Sequence, residues 1–274
     1  MTEAQQGGWT APGGPLGRLS ERSAERAALA QHTRVALERL VADLAPSVSL
    51  AVALERPDVA IIAEIKRRSP SKGVLDGTLD AAQRAVAYAM GGAAALSILT
   101  EPTEFGGSLD DLSQAHAAVP VPLLRKDFIV DEVQLLEARA AGASAVLLIA
   151  RAHPAGRFYA LAAAARSVGL DLLLEVRDER ELERALGVPG AVIGVNNRNL
   201  ETLAIDDTVS ERLLRLIPPD RLAVYESGVR DVEGVQRAAA LGADAVLVGS
   251  ALSVAVDAAG AVRALTGIPR RPRG

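Results

Sequence analysis

The chain contains no cysteine, which excludes a disulfide framework and any thiolate-ligated metal. Its three histidines, His32, His116 and His153, are far apart in sequence, so no histidine metal site is expected. Aromatic residues make up only 3% of the 274 positions. The core must therefore be aliphatic, and each aromatic beside a polar motif is a candidate ligand contact. No apolar run reaches the roughly 20 residues needed to span a bilayer. The first residues lack a basic start followed by an apolar stretch, so no signal peptide is expected. The net charge of −4 carries no basic stripe, which argues against nucleic acid as a partner. These absences predict a cytoplasmic, metal-free protein.

What is present is aliphatic and segmented. At 49% hydrophobic and 23% charged residues, the chain can bury one large core. Residues 1–16 are rich in Gly, Pro and Gln and read as a mobile segment. Residues 17–58 form a helical extension, with Leu19, Ala27, Leu37, Leu40 and Val41 on its apolar faces and Pro46 ending the pattern. From Val59 onward eight short apolar runs alternate with helical segments: 59–63, 94–99, 121–124, 145–149, 170–174, 191–195, 222–224 and 245–248. Asp131, Ser108 and Asp178 stand where N-caps belong. Gly92-Ala-Ala-Ala, Gly142-Ala-Ser-Ala and Gly242-Ala-Asp-Ala each lead into a strand run. This repeated seam, a left-handed glycine closing a helix before the next strand, marks a repeating unit. The pattern predicts an α/β fold, a (β/α)8 TIM barrel with an N-terminal helical extension, over 59–268 and a tail at 269–274. An open doubly wound sheet is the rival, disfavoured because no strand precedes a dinucleotide-type glycine fingerprint.

A barrel of this kind carries its active site at the carboxyl ends of its strands. The first strand ends in Glu64 and Lys66, which share one face because they are two residues apart. Ser69 and a small, hydroxyl-rich loop follow. The third ends in Arg125, Lys126, Asp127 and Phe128, the fifth in Glu175, and the sixth in Asn196, Asn197 and Arg198. The seventh ends in Glu226, Ser227 and Gly228, and the eighth in Gly249 and Ser250. One charged residue at a strand end is simply where a strand meets water. Six such ends after buried runs point to acid–base chemistry in a shared cavity. The Ser227-Gly228 and Gly249-Ser250 pairs offer unshielded backbone N–H groups where such barrels hold phosphate, with 251–256 as a short adjoining helix. Lys126 has two readings, a Schiff-base amine or a general acid. The residues alone predict acid–base chemistry on a phosphorylated small molecule.

The segments AEIKRRSPSKG, LSILTEPTEFGGS, LLRKDFIVDEVQ, LLLEV, IGVNNRNLETL, ESGV and LVGSAL occur in this order. Together they make the chain resemble the indole-3-glycerol phosphate synthase family of tryptophan biosynthesis from about Leu16 to Leu265. The resemblance implies the barrel and a cofactor-free carboxy-lyase. Its reaction turns 1-(2-carboxyphenylamino)-1-deoxyribulose 5-phosphate into indole-3-glycerol phosphate, CO2 and water. By the same resemblance, Lys126 is the general acid of ring closure, and Lys66 binds the anthranilate carboxylate. Glu175 is the acid–base of dehydration, while Glu64, Asn196 and Glu226 position these groups. Ser69, Ser227, Gly228, Gly249 and Ser250 form the phosphate cradle, Arg198 is a further substrate contact, and Phe105 and Phe128 wall the anthranilate ring. A monomer or weak homo-oligomer is expected. The chain departs from the family at Tyr225, where a small residue is usual, at Ser253, and at Leu50 in place of a phenylalanine. Trp9 is a candidate N-terminal lid. Rival functions are an isomerase or Schiff-base aldolase on a related barrel, or a non-catalytic homologue.

Overall fold

The computed structural model describes residues 10–273. Trp9 and its suggested lid lie outside the described residues. Eight parallel strands close into a barrel: β1 (Ala60–Ile65), β2 (Ala95–Leu99), β3 (Leu123–Lys126), β4 (Ala145–Ile149), β5 (Asp171–Val176), β6 (Val192–Asn196), β7 (Ala223–Glu226) and β8 (Ala245–Val248). Each strand pairs with its neighbour in sequence, and β8 returns to β1 in a register running from Ala60↔Ala245 to Ala63↔Val248.

Among the described residues, three helices precede the barrel: α1 (Gly14–Ala30), α2 (Arg34–Ala42) and α3 (Leu50–Leu54). Those that follow are α4 (Ala81–Met90), α5 (Pro102–Phe105), α6 (Leu109–Ala118), α7 (Glu132–Ala140) and α8 (Ala155–Ser167). The chain continues through α9 (Glu179–Leu186), α10 (Thr208–Leu213), α11 (Val232–Ala240), α12 (Ser250–Ser253) and α13 (Ala258–Arg263). The caps read from sequence hold. Asp131 starts α7 with a full capping box to Gln134, Ser108 accepts from the Asp111 N–H, and Asp178 accepts from the Glu181 N–H. Gly92, Gly142 and Gly242 all have positive φ, between 84° and 98°, as the repeated seam requires.

The strand residues alternate between two apolar layers. Ile61, Ala63 and Ile65 face the helices, whereas Ala60 and Ile62 fill the barrel interior. The same alternation sends Leu124, Leu173 and Val224 inward. Two residues further on, the inward positions are Glu64, Lys126, Glu175 and Glu226. Sequence reading placed the strand ends at Ala63, Leu124, Leu174, Val195 and Val224. The observed strands run one or two residues further, through the charged positions, since inward side chains that find partners leave the backbone ladder intact.

The N-terminal extension embraces the barrel. The sequence places the start of the extension at residue 17, but helix begins at Gly14, and a 3-10 turn at Gln31–Thr33 separates α1 from α2. Leu16 and Leu19 of α1 are buried with Phe128 in the interior layer. Helix α2 packs on α7 yet buries no residue fully. Leu50 and Leu54 of α3 join Ala60 and Ala245 in that layer, so α3 plugs the amino end of the barrel. Leu50, the unusual aliphatic substitute, is completely buried.

Candidate active site

Inward side chains at the carboxyl ends surround a cavity of about 290 Å³. It brings together Glu64, Lys66, Phe105, Lys126, Phe128, Glu175, Asn196, Arg198, Glu226, Ser227, Gly228, Gly249 and Ser250. Every residue given a role by the resemblance lines it except Ser69, whereas two further strand-end residues turn away from it, Arg125 to Thr100 and the Gln134 carbonyl and Asn197 to the Ser210 N–H. Ser69 lines a second cavity of about 180 Å³ between α1 and the barrel mouth, which shares Lys66, Phe105, Phe128, Arg198 and Ser250 with the first. The Ser69 hydroxyl is buried without a partner.

Two ion clusters face each other. Lys66 Nζ donates to Glu64 Oε1 at 2.5 Å. Lys126 Nζ donates to Glu175 Oε2 at 3.2 Å and lies 3.5 Å from Glu226 Oε2. Burial alone would lower the pKa of Lys126, but Glu175, Glu226 and Glu64 outweigh it and hold the ammonium above the ordinary lysine value. Glu226 shows the opposite balance. Burial, with Glu175 and Glu64 adding to it and Lys126 opposing, raises its pKa to about 8. Its Oε1 has no hydrogen-bond partner and sits 2.0 Å from where a side chain on Gly194 would begin. Gly194 is thus required by Glu226. Lys126 is consequently the fixed cation of the site and Glu226 its protonatable neighbour.

Asn196 Oδ1 accepts from Ser227 Oγ at 2.9 Å and from the Arg198 N–H at 2.9 Å, tying the ends of β6 and β7. Arg198 donates to the Leu203 carbonyl at 2.8 Å, and burial lowers its pKa despite Glu64 nearby. Phe105 and Phe128 lie with ring centroids 6.4 Å apart and tilted by 37°, forming one apolar wall. Helix α12 begins at Ser250 and ends at Ser253, shorter than the 251–256 expected. Ser253 is buried and donates to the Gly249 carbonyl at 3.1 Å, so this departure supports the turn it follows.

Sequence reasoning passed over several groups. Lys72 and Arg230 also line the larger cavity, although Lys72 stands inside a segment already quoted and Arg230 directly follows another. Behind Lys126 lies a clamp. Asp127 accepts from Arg26 of α1 at 2.8 Å, Thr100 at 2.8 Å and Arg125 at 3.1 Å. Ser23 donates to the Phe128 carbonyl at 2.5 Å. The sequence held no signal for the two contacts from α1, because they join residues about a hundred positions apart. Among the described residues no cluster of His, Asp and Glu is arranged to hold a metal ion, and no helix is long and apolar enough to cross a membrane.

A closed parallel barrel with lysine–carboxylate clusters converging at its carboxyl ends defines a (β/α)8 enzyme equipped for acid–base chemistry. The comparisons narrow the class. The family model described as indole-3-glycerol phosphate synthase matches residues 18–265. An indole-3-glycerol phosphate synthase from Nocardioides sp. is 53% identical over 209 residues, covering 76% of this chain and 80% of the relative. Indole-3-glycerol phosphate synthase 2 from Streptomyces coelicolor is 45% identical over 254 residues, covering 93% of this chain and 98% of the relative. The chain belongs to the indole-3-glycerol phosphate synthase family. The solved structure of thiamine phosphate pyrophosphorylase from Pyrococcus furiosus aligns with TM-score 0.57 at 15% identity, over 79% of this chain and 96% of that one. That likeness bears on the fold alone.

Proposed function

We propose that the larger cavity performs the indole-3-glycerol phosphate synthase reaction: ring closure, decarboxylation and dehydration of 1-(2-carboxyphenylamino)-1-deoxyribulose 5-phosphate. The observation that carries the assignment of roles is the Lys126 ammonium, bonded to the Glu175 carboxylate at 3.2 Å with Glu226 beside it at 3.5 Å. An amine kept charged is a poor Schiff-base nucleophile and a well-placed proton donor. This favours the general acid over the aldolase reading. Lys126 protonates the carbonyl oxygen as the aromatic ring attacks the carbonyl carbon. Loss of CO2 restores neutrality on the ring side, and Glu175 handles the proton movements through which water departs. Lys66, oriented by Glu64, receives the anthranilate carboxylate. The ring itself rests against Phe105 and Phe128.

The phosphate is assigned to the Ser227-Gly228 and Gly249-Ser250 turns, where small residues expose backbone N–H groups. Arg198, shared by both cavities, supplies positive charge. Ser69 belongs to this reading through its unpartnered hydroxyl in the adjoining cavity. Residues 17–58 act as the extension that covers both ends of the 59–268 barrel. A cytoplasmic location and a monomer or weak homo-oligomer complete the proposal, to be checked by fractionation and sedimentation.

The direct test is incubation with the carboxyphenylaminodeoxyribulose phosphate, without added cofactor or metal, following indole fluorescence. No product across a range of pH would reject the assignment. Borohydride trapping of a covalent adduct with substrate would return Lys126 to the Schiff-base reading.

A further inference from the structure

Tyr225 precedes Glu226 on β7, so the pleat turns it away from the cavity and into the layer between sheet and helices. It is buried there opposite Val195, in the core cluster that also holds Val209 and Leu213. A phenol in an apolar layer requires a partner, and Tyr225 Oη donates to Asp207 Oδ1 at 3.0 Å. Burial, then the adjacent Asp207 charge, raises the phenol pKa well above its ordinary value, so it stays a neutral donor. Asp207 is the residue from which α10 starts.

This pair lies directly against the turn that follows β7. Ser227 and Gly228 are consecutive left-handed residues, with φ of 65° and 100°. Among the described residues only Ser227 and Leu203 adopt positive φ without being glycine, a conformation that persists only where neighbours enforce it. A Cβ on Gly228 would lie 3.0 Å from Asp207 Oδ1 and 3.7 Å from Tyr225 Oη. A second support comes from Asn197, which is fully buried. Its Nδ2 donates to the Ser227 carbonyl at 3.2 Å, and its Oδ1 accepts from the Ser210 N–H at 3.0 Å. The turn is thus held from β6, β7 and α10 together.

We infer that Tyr225 and Asp207 form a brace that fixes the left-handed Ser227-Gly228 turn and thereby sets the affinity of the site for the substrate's phosphate. Tyr225 is a positioning residue, acting from the far side of the sheet through the turn it supports. The inference rests on the proposed placement of phosphate at this turn.

The test uses Tyr225→Phe, which keeps the ring and removes only the donor. Losing one buried hydrogen bond corresponds to roughly a three- to tenfold effect. The inhibition constant of inorganic phosphate and the KM for substrate should rise together by that factor, with kcat within twofold of the wild type. Asp207→Ala should reproduce the effect, and Asp207→Asn, which retains an accepting oxygen, should largely restore it. The double variant Tyr225→Phe/Asp207→Ala should be no worse than either single one. If Tyr225→Phe fails to fold, the Asp207→Ala and Asp207→Asn pair carries the same comparison. If phosphate inhibits the wild type competitively but its constant and KM do not move in these variants, the brace is refuted and the phosphate site stands. A fall in kcat with unchanged KM refutes it equally. If phosphate does not compete in the wild type at all, the placement of the phosphate fails, and the brace fails with it.

Discussion

Gly249→Ala adds one methyl group and separates two reasons for a glycine at this position. From sequence, Gly249 lets the backbone approach an anion, so a side chain should weaken binding. The structure adds a nearer obstacle. A Cβ at 249 would lie 2.3 Å from Glu64 Oε1 and 2.9 Å from Lys66 Nζ. Its backbone φ of −116° is accessible to any residue, so only space is at issue. Carbon and oxygen in ordinary contact stand well over 3 Å apart, and the Glu64 carboxylate must retreat by roughly 1 Å. It has little freedom to do so, being 5% exposed and tied to Lys66 at 2.5 Å. Overpacking of this kind costs about 1–3 kcal/mol of stability, which a domain of this size survives. A 1 Å misplacement in an active site can cost on the order of a hundredfold in rate. Gly249→Ala should therefore fold, lower kcat roughly 10- to 100-fold, and raise KM much less. Steady-state kinetics by indole fluorescence, with thermal unfolding as a control for folding, measures this. An unchanged kcat with a raised KM would refute the collision argument and restore the close-approach reading.

Lys126→Met removes the charged donor and should reduce kcat by about a hundredfold or more, the usual loss of a general acid; a folded variant with near-normal turnover would reassign the mechanism. Glu175→Gln keeps shape and hydrogen bonding, so turnover should fall steeply with little change in KM, whereas weakened binding at normal turnover would make Glu175 a binding residue. For Glu226, whose pKa is raised by burial to about 8, the protonated form is the one the fold favours. Its contribution is present below the ordinary carboxylate value and is lost as pH rises through about 8. Glu226→Gln should accordingly gain in Tm relative to the wild type between pH 5 and 9, by a few degrees, while losing activity. A Tm difference flat across that range would contradict the raised pKa.

The barrel was legible because its signals are local and repeated. Eight apolar runs, three helix caps and three Gly-Ala seams each depend on a few adjacent residues, and each appears in the structure within one or two residues of its expected place. The inward set was legible for a related reason. Once a strand run is recognised, its two-residue period carries the inward phase on to Glu64, Lys126, Glu175 and Glu226. What the sequence withheld is contact between distant segments. Arg26 on Asp127 and Ser23 on the Phe128 carbonyl link α1 to the end of β3, and no local pattern announces either. The same limit applies to Gly194 and Gly249. A glycine's chemistry can be read from the chain, but the side chain that forbids a Cβ, Glu226 in one case and Glu64 in the other, is known only once the strands have met. Tyr225 stood out as a departure from the family, yet its partner Asp207 emerged only with the geometry.

The two ends of the barrel divide the work of stability and function. At the amino end, Asp244 gathers several donors. Asp244 accepts from the Ala223 N–H, from Arg270 and from Arg273 at 2.6 Å. Asp58 and Pro269 form a bridge between the segment entering β1 and the tail, and α3 fills the space between. At the carboxyl end the balance reverses. Glu226 keeps a buried oxygen without a partner, the Ser69 hydroxyl is likewise unpartnered, and Ser227 and Leu203 hold backbone conformations that cost of order 1 kcal/mol or more each. Unmet hydrogen-bonding capacity next to an open cavity is destabilising in the empty protein and becomes useful when a ligand supplies the missing donors and acceptors. The Asp244 contacts lie at the opposite end of the barrel from the cavity and contribute to stability without touching it. Substitutions that weaken the Asp244 cluster should therefore lower Tm while leaving KM and kcat of the folded enzyme unchanged, and substitutions that relieve the strand-end deficits should do the reverse.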